Sequence, residues 1–202
     1  MARILVQFAH PALERSRVHR RLLDRVPHVT GITLNDLYEA YPDFEVDVAR
    51  EQRLLVEHDL IVFQHPFFWY STPPLLKQWE DLVLEHGWAY GKAGRMLHGK
   101  RVLHAISAGG REEAYQHDGL NRHTVRELLA PLEQTARLCG MRWAPPFMVH
   151  GTHRMSDEDI EEAASGYGRL LLDLHEDRVD LDAAASFPTL NAALQAARGG
   201  HR

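Results

Sequence analysis

Four aromatic residues in a row, Phe67-Phe68-Trp69-Tyr70, stand between an apolar run, Leu60-Ile61-Val62-Phe63, and the segment Ser71-Thr72-Pro73-Pro74. Such side chains can form a wall against which a flat ring stacks. The apolar run suits a strand covered on both faces, as in a parallel sheet. His65-Pro66 ends it, because proline has no N–H to give a central ladder. Thr72 is placed to cap a helix with Pro73 at its first position. Leu75, Leu76, Trp79, Leu82 and Val83 then recur at helical spacing, with Gly87 as the stop. The aromatic run therefore falls at the carboxyl end of a strand, where open α/β sheets bind ligands. The competing reading makes the four aromatics core or dimer contact.

Two more segments have chemistry to offer. The stretch from His10 to His19 leads into a helix whose first N–H groups have no partner within the helix, and with Arg17 they would hold a phosphate. Ser16 serves equally well as a structural N-cap and Arg17 as a solvated charge. Ser107-Ala108-Gly109-Gly110-Arg111 follows a buried strand, and its paired glycines let backbone donors approach the electron-rich edge of a planar ring. Glycines also mark plain turns.

A hydrolase reading must be weighed as well. Ala105-Ile106-Ser107-Ala108-Gly109 approximates a nucleophile elbow, and Asp157 or Asp159 with His175 completes a triad in the right chain order. Against it, a helix should follow the elbow, whereas residues 110–119 are polar and loop-like. Among the fourteen His, the pair His150 and His153 invites a metal, but no Cys or acidic ligand is spaced beside them, so none is expected. His65 and His117 lie close to the loops in question and are expected in structural roles. Neither a Walker loop nor a G-x-G-x-x-G fingerprint is present.

These loops need a scaffold. Apolar runs alternate with helical patterns, which implies parallel strands joined by right-handed crossovers. Strands are expected at 3–9, 29–34, 59–64, 101–106 and 142–149, the last interrupted by Pro145-Pro146. Helices are expected from Ser16 to about Val26 and from Asp47 to about His58. Another starts with the capping box Thr124–Glu127, is kinked or restarted by Pro131, and stops at Gly140. The last large helix begins at Ser156, with Asp159 three residues on, and carries Ile160, Ala163, Tyr167, Leu170, Leu171 and Leu174 on one face. From Asp177 the composition reads as a peripheral tail, 177–202, with one short helix near 190–197.

With 202 residues the chain is most simply one domain with a full core. A net charge of −5 without a basic cluster argues against nucleic acid and anionic membrane as main partners. The single Cys139 excludes an internal disulfide and points to a reducing, cytoplasmic home. No stretch approaches the ~20 apolar residues of a spanning helix.

Ala9-His10-Pro11, Leu37-Tyr38, Tyr41-Pro42-Asp43-Phe44 and the run from Gln64 to Lys77 resemble the flavodoxin-like NAD(P)H:quinone oxidoreductase family. Within it the chain is most similar to the ancillary subunits of bacterial glutathione-gated potassium-efflux systems. That likeness extends through Glu113-Ala114-Tyr115, Leu120-Asn121-Arg122, residues 131–136 and Cys139-Gly140-Met141, and covers roughly residues 3–175 of the chain. The resemblance implies a flavodoxin-like, doubly wound, five-stranded parallel sheet with helices on both faces, filling residues 1–176. It also implies a homodimer with one FMN per subunit, or FAD in other branches.

By the same resemblance, His10, Ser16, Arg17, Val18 and His19 lie on the phosphate side. Phe67, Phe68, Trp69 and Tyr70 lie along the ring, and Ala108, Gly109, Gly110 and Arg111 at its pyrimidine edge. Tyr115 lines the pocket shared by nicotinamide and quinone. Three positions depart from the family pattern: His19 where Asn is usual, Phe68 where Gln is common, and Arg111 where a third Gly often lies. The activity implied is ping-pong hydride transfer from NAD(P)H to a quinone. The alternative is a regulatory subunit that docks on a potassium-efflux antiporter with a weak or vestigial flavin site.

Overall fold

The computed structural model of the chain describes residues 1–199; residues 200–202 of the expected tail lie outside the described residues. Its centre is a parallel sheet. Strand β1 (Ile4–Phe8) pairs on one side with β2 (Ile32–Asp36) and on the other with β3 (Leu60–Pro66), which pairs with β4 (Arg101–Ser107). The far edge is shared by two short strands, β5 (Arg142–Trp143) and β6 (Phe147–Val149), both parallel to β4. The order β2-β1-β3-β4-β5 is that of a doubly wound flavodoxin-like sheet.

The helices of the crossovers are α1 (Arg17–Asp24), α2 (Leu37–Ala40), α3 (Val48–Glu57), α4 (Pro74–Val83), α5 (Val125–Leu128), α6 (Ala130–Leu138) and α7 (Asp157–His175). Two more, α8 (Leu181–Ala184) and α9 (Leu190–Gly199), follow. The central strands are buried on both faces and alternate between two cores. Ile4, Val6, Leu60 and Val62 point toward α1 and α7, while Leu5, Ile61 and Phe63 point toward α3 and α4. A strand with two covered faces needs the unbroken apolar run that its sequence has.

Both capping boxes form, Thr124 with Glu127 and Ser156 with Asp159. Pro131 sits in the first turn of α6 and separates it from α5, as a residue without an N–H requires.

Several boundaries differ from expectation. Strand β2 starts at Ile32, after Gly31 (φ 100°) turns the chain. Strand β3 runs on through Pro66, whose partner is Ser107. The fifth strand is split by Ala144-Pro145-Pro146. Thr72 caps nothing: α4 begins at Pro74 behind Pro73, and the Thr72 hydroxyl is buried without a partner. The helix ends at Val83, short of Gly87.

The segment from Asp177, expected at the periphery, is packed. Leu181, Ala184 and Leu190 are buried in the same core as α1 and α7, and Arg101 reaches Asp182 at 2.7 Å. Among the described residues no helix is long and apolar enough to cross a membrane.

Candidate active site

Parallel pairing of β1, β3 and β4 brings the three loops at their carboxyl ends together. Ser16 ends the first loop as the N-cap of α1, its Oγ accepting the His19 N–H at 3.0 Å. The N–H groups of Arg17 and Val18, in the first turn, are left for a ligand. The Arg17 guanidinium is engaged elsewhere, donating to Asp157 at 2.9 Å and to the Met155 carbonyl at 3.2 Å. That pair holds the carboxyl of Asp157 below its ordinary range. At this helix start it is therefore the backbone, more than the Arg17 side chain, that is free to bind an anion.

His10 is mostly buried, and its Nδ1 accepts the Ala12 N–H at 3.1 Å. Burial lowers its pKa, a shift partly opposed by the charge of Glu14. Its ring meets Phe68 edge-on at 5.8 Å.

His19, on α1, is fully buried and faces inward. Its Nε2 lies 2.8 Å from Ser107 Oγ, and its Nδ1 lies 3.5 Å from Gln64 Nε2. Tyr167 OH in turn donates to Gln64 Oε1 at 2.9 Å. Burial, then the proximity of His10 and His65, hold the His19 pKa well below 6.5, so the ring is neutral.

The aromatic loop splits its four side chains between two environments. Phe67 is buried against Tyr115 and Tyr70, whereas Phe68 and Tyr70 are about half exposed and Trp69 is 93% exposed. Trp69 and Tyr70 both have positive φ, 49° and 65°. Tyr70 OH donates to Asn121 Oδ1 at 3.1 Å, tying this loop to the one that follows β4. The wall expected of four rings is thus made by Phe68 and Tyr70 beside buried Phe67, with Trp69 projecting from its rim.

In the glycine loop Ala108 is buried and Arg111 exposed. Among the described residues no acceptor takes the N–H of Gly109 or Gly110. Both glycines lie close under side chains: a Cβ on Gly109 would lie 2.4 Å from His153 Nε2, and one on Gly110 would lie 3.1 Å from the Tyr115 ring. Tyr115 also packs on His150 at 5.5 Å. Burial, then the neighbouring Tyr70, raises its hydroxyl pKa.

Between these loops lies a cleft of about 440 Å³, with Ser16 and Val18 at one end, Phe68 and Ser107 along it, and Thr152 and His153 closing it. That volume falls within the ~300–1,000 Å³ of small-molecule and cofactor sites. Free helix-terminal N–H groups at one side and the half-exposed Phe68 ring along it, with the unpaired glycine N–H groups in the loop that begins at Ser107, suit a phosphorylated planar cofactor such as FMN.

Thr152, His153 and Ser107 were not among the expected ligand residues. The run His150-Gly151-Thr152-His153 carried a readable signal, its place just beyond the carboxyl end of the last strand. Of the two other histidines expected near the site, His65 is buried against His104 at 3.0 Å, and His117 is exposed and pairs with Glu127.

The hydrolase triad does not assemble. Ser107 pairs with His19; His175 bonds the Ala2 carbonyl at 2.8 Å and packs under Gly31, at the opposite end of β1. Asp159 is committed to its capping box and Asp157 to two arginines. The residues after Gly110 form a bend and a short 3-10 turn in place of the helix an elbow needs.

Residues 2–171 match the family described as having a flavodoxin-like fold. The chain is 49% identical over 160 residues to YrkL of Bacillus subtilis (strain 168), an uncharacterized NAD(P)H oxidoreductase, covering 79% of this chain and 92% of that protein. It is 47% identical over 174 residues to KefF of Enterobacter sp. (strain 638), a glutathione-regulated potassium-efflux system ancillary protein, covering 86% and 97%. The crystal structure of general stress protein 14 from Treponema denticola in complex with FMN superposes with a TM-score of 0.81 at 40% identity, covering 85% of this chain and 99% of that one. Fold, cleft and sequence agree: the chain belongs to the flavodoxin-like NAD(P)H oxidoreductase family.

Proposed function

We propose that the protein is an FMN-dependent NAD(P)H:quinone oxidoreductase, and the observation that carries this reading is the cleft itself. It sets the unsatisfied backbone donors of a helix start on one side of Phe68 and Ser107 on the other, with the free Gly109-Gly110 donors in the loop that Ser107 begins. Ser16, Arg17 and Val18 hold the phosphate through the start of α1, where the helix dipole favours an anion. Phe67, Phe68 and Tyr70 shape the slot for the ring. When bound, FMN supplies two-electron chemistry, accepting and returning a hydride.

The chain's own work is orientation and charge stabilisation. The Gly109 and Gly110 N–H groups oppose negative charge at the ring's pyrimidine edge. Tyr115, protonated as a tyrosine is at neutral pH, has a hydroxyl proton to donate to a quinone oxygen as charge builds there. No nucleophile is required. The reading includes a cytoplasmic homodimer, with the exposed Trp69 at the rim of each site.

The 47% identity to a KefF ancillary protein supports a second role, docking on a potassium-efflux antiporter. The two roles separate on turnover. Protein reconstituted with FMN should show flavin absorption at one equivalent per chain and should oxidise NAD(P)H when a soluble quinone is supplied. Stoichiometric flavin without turnover would leave the regulatory role alone, and a colourless protein at saturating FMN would end both flavin readings.

A further inference from the structure

The outer edge of the sheet is closed by a side chain. Strand β6 pairs with β4 through Phe147 and Val149, so the backbone groups of Pro146 and Met148 point the other way, toward an edge on which no further strand lies among the described residues. There the Met148 N–H donates to Asn191 Oδ1 at 2.8 Å, and Asn191 Nδ2 donates to the Met148 carbonyl at 3.1 Å. The Leu190 N–H takes the Pro146 carbonyl at 2.9 Å. The amide orientation is fixed, since only oxygen can accept from the Met148 N–H. The start of α9 therefore imitates one residue of a neighbouring strand. Thr189 caps the helix by accepting the Ala192 N–H, which leaves Asn191 free for this task.

Three residues beyond Met148 the chain reaches the glycine loop. Ala108 N–H donates to the Val149 carbonyl at 2.8 Å, Gly151 N–H to the Gly110 carbonyl at 2.8 Å, and Thr152 N–H to the Ala108 carbonyl at 3.2 Å. His153 covers Gly109, and His150 packs on Tyr115. All these groups hang on the placement of β6, a three-residue strand with one paired neighbour. The clamp comes from outside the matched region, which ends at residue 171.

We propose that Asn191 is a positioning residue for the cofactor cleft. By pinning Met148 it sets the register of β6 and, through Gly151 and Thr152, the placement of the Gly109 and Gly110 donors. This rests on the FMN reading above for its consequence, though not for its geometry.

The test is Asn191→Ala, read by amide hydrogen exchange without cofactor and by FMN affinity from quenching of flavin fluorescence, well below the melting temperature. Loss of these two part-buried backbone hydrogen bonds should give roughly a tenfold or greater rise in exchange at Met148, Ala108 and Gly151. Exchange at Val62 in the central strand should stay unchanged. The FMN Kd should rise about tenfold, and Asn191→Asp, which keeps the acceptor for the Met148 N–H, should fall between the two.

Faster exchange at Met148 alone, with Ala108, Gly151 and the Kd unchanged, would reduce Asn191 to an edge seal and overturn the proposal. If wild-type protein binds no FMN, the flavin reading fails, while exchange at Ala108 and Gly151 still decides whether Asn191 positions the loop.

Discussion

The Nε2 of His19 and the Oγ of Ser107 lie 2.8 Å apart, at the point where α1 passes over the end of β4. With Gln64 and Tyr167 behind it, this contact makes a buried polar chain from α7 to the edge of the cleft. Removing the ring takes a partner from the fully buried Gln64 amide and from Ser107 at the cleft's edge. His19→Ala should cost about 2–3 kcal/mol by urea denaturation, the ordinary penalty for buried unpaired groups. His19→Asn, which keeps a donor and an acceptor, should cost less than half as much. Equal losses for the two would show that ring volume, not hydrogen bonding, matters at this position.

Acid should weaken the fold before carboxylate titration begins. His19, His65 and His104 are buried, and burial lowers all three pKa values, that of His65 to about 4. The His65 Nδ1 bonds the Pro66 carbonyl and so carries the proton, leaving Nε2 to accept from His104 Nδ1. The unfolded chain then binds protons that the folded chain refuses. Stability is full above the unfolded pKa of 6.5 and falls as pH drops toward 4, by up to ~1.4 kcal/mol per pH unit for each such ring. Urea midpoints between about pH 7 and pH 5 measure this. A flat profile would mean that these rings protonate inside the folded protein.

Gly109 lies directly under a side chain from the next loop, His153. Its missing Cβ would overlap His153 Nε2 at 2.4 Å, so Gly109→Val should push the two loops apart and weaken FMN binding by about tenfold or more. Combining it with His153→Ala should restore part of the affinity. If the single variant binds as wild type does, the ring edge is not at this loop.

Glu51 gives the fold a different point of failure. Its fully buried carboxylate accepts from Gln7 at 2.7 Å, Asn35 at 3.0 Å, Tyr41 at 2.7 Å and Trp79 at 2.9 Å, drawing β1, β2 and α4 onto α3. Burial, then the bond to Glu51, pushes the Tyr41 hydroxyl up to about 12. Glu51→Gln keeps the shape but turns an acceptor toward donors as a donor, and should cost about 3 kcal/mol in urea unfolding. A change under ~1 kcal/mol would mean that the cluster re-pairs.

Local patterns were legible and long-range partnerships were not. The two-sided burial of β1, β3 and β4 is written in their apolar runs, and both capping boxes and the break at Pro131 follow from chemistry three or four residues wide. The Thr72 cap failed for a reason equally local but easy to overlook. Pro74 has no N–H to offer, and that of Leu75 goes to Tyr38 OH, so the hydroxyl has no helical donor. Arg17 is drawn to Asp157 and Asn191 to Met148, partners that no spacing rule connects. The three loops of the cleft were foreseeable from strand ends; the fourth wall, at Thr152 and His153, also follows a strand end, and what needed the fold was its seat over Gly109.

The left-handed pair Trp69–Tyr70 has an energetic consequence. A bulky residue at positive φ is held there at roughly 1–3 kcal/mol, and here two stand in succession. Tertiary packing of Phe67 and the Tyr70–Asn121 bond sustain that twist before any guest arrives. Under the proposed function, a tricycle arriving there would meet a rim already bent to shape, so less of its adhesion would be lost to disciplining a floppy loop.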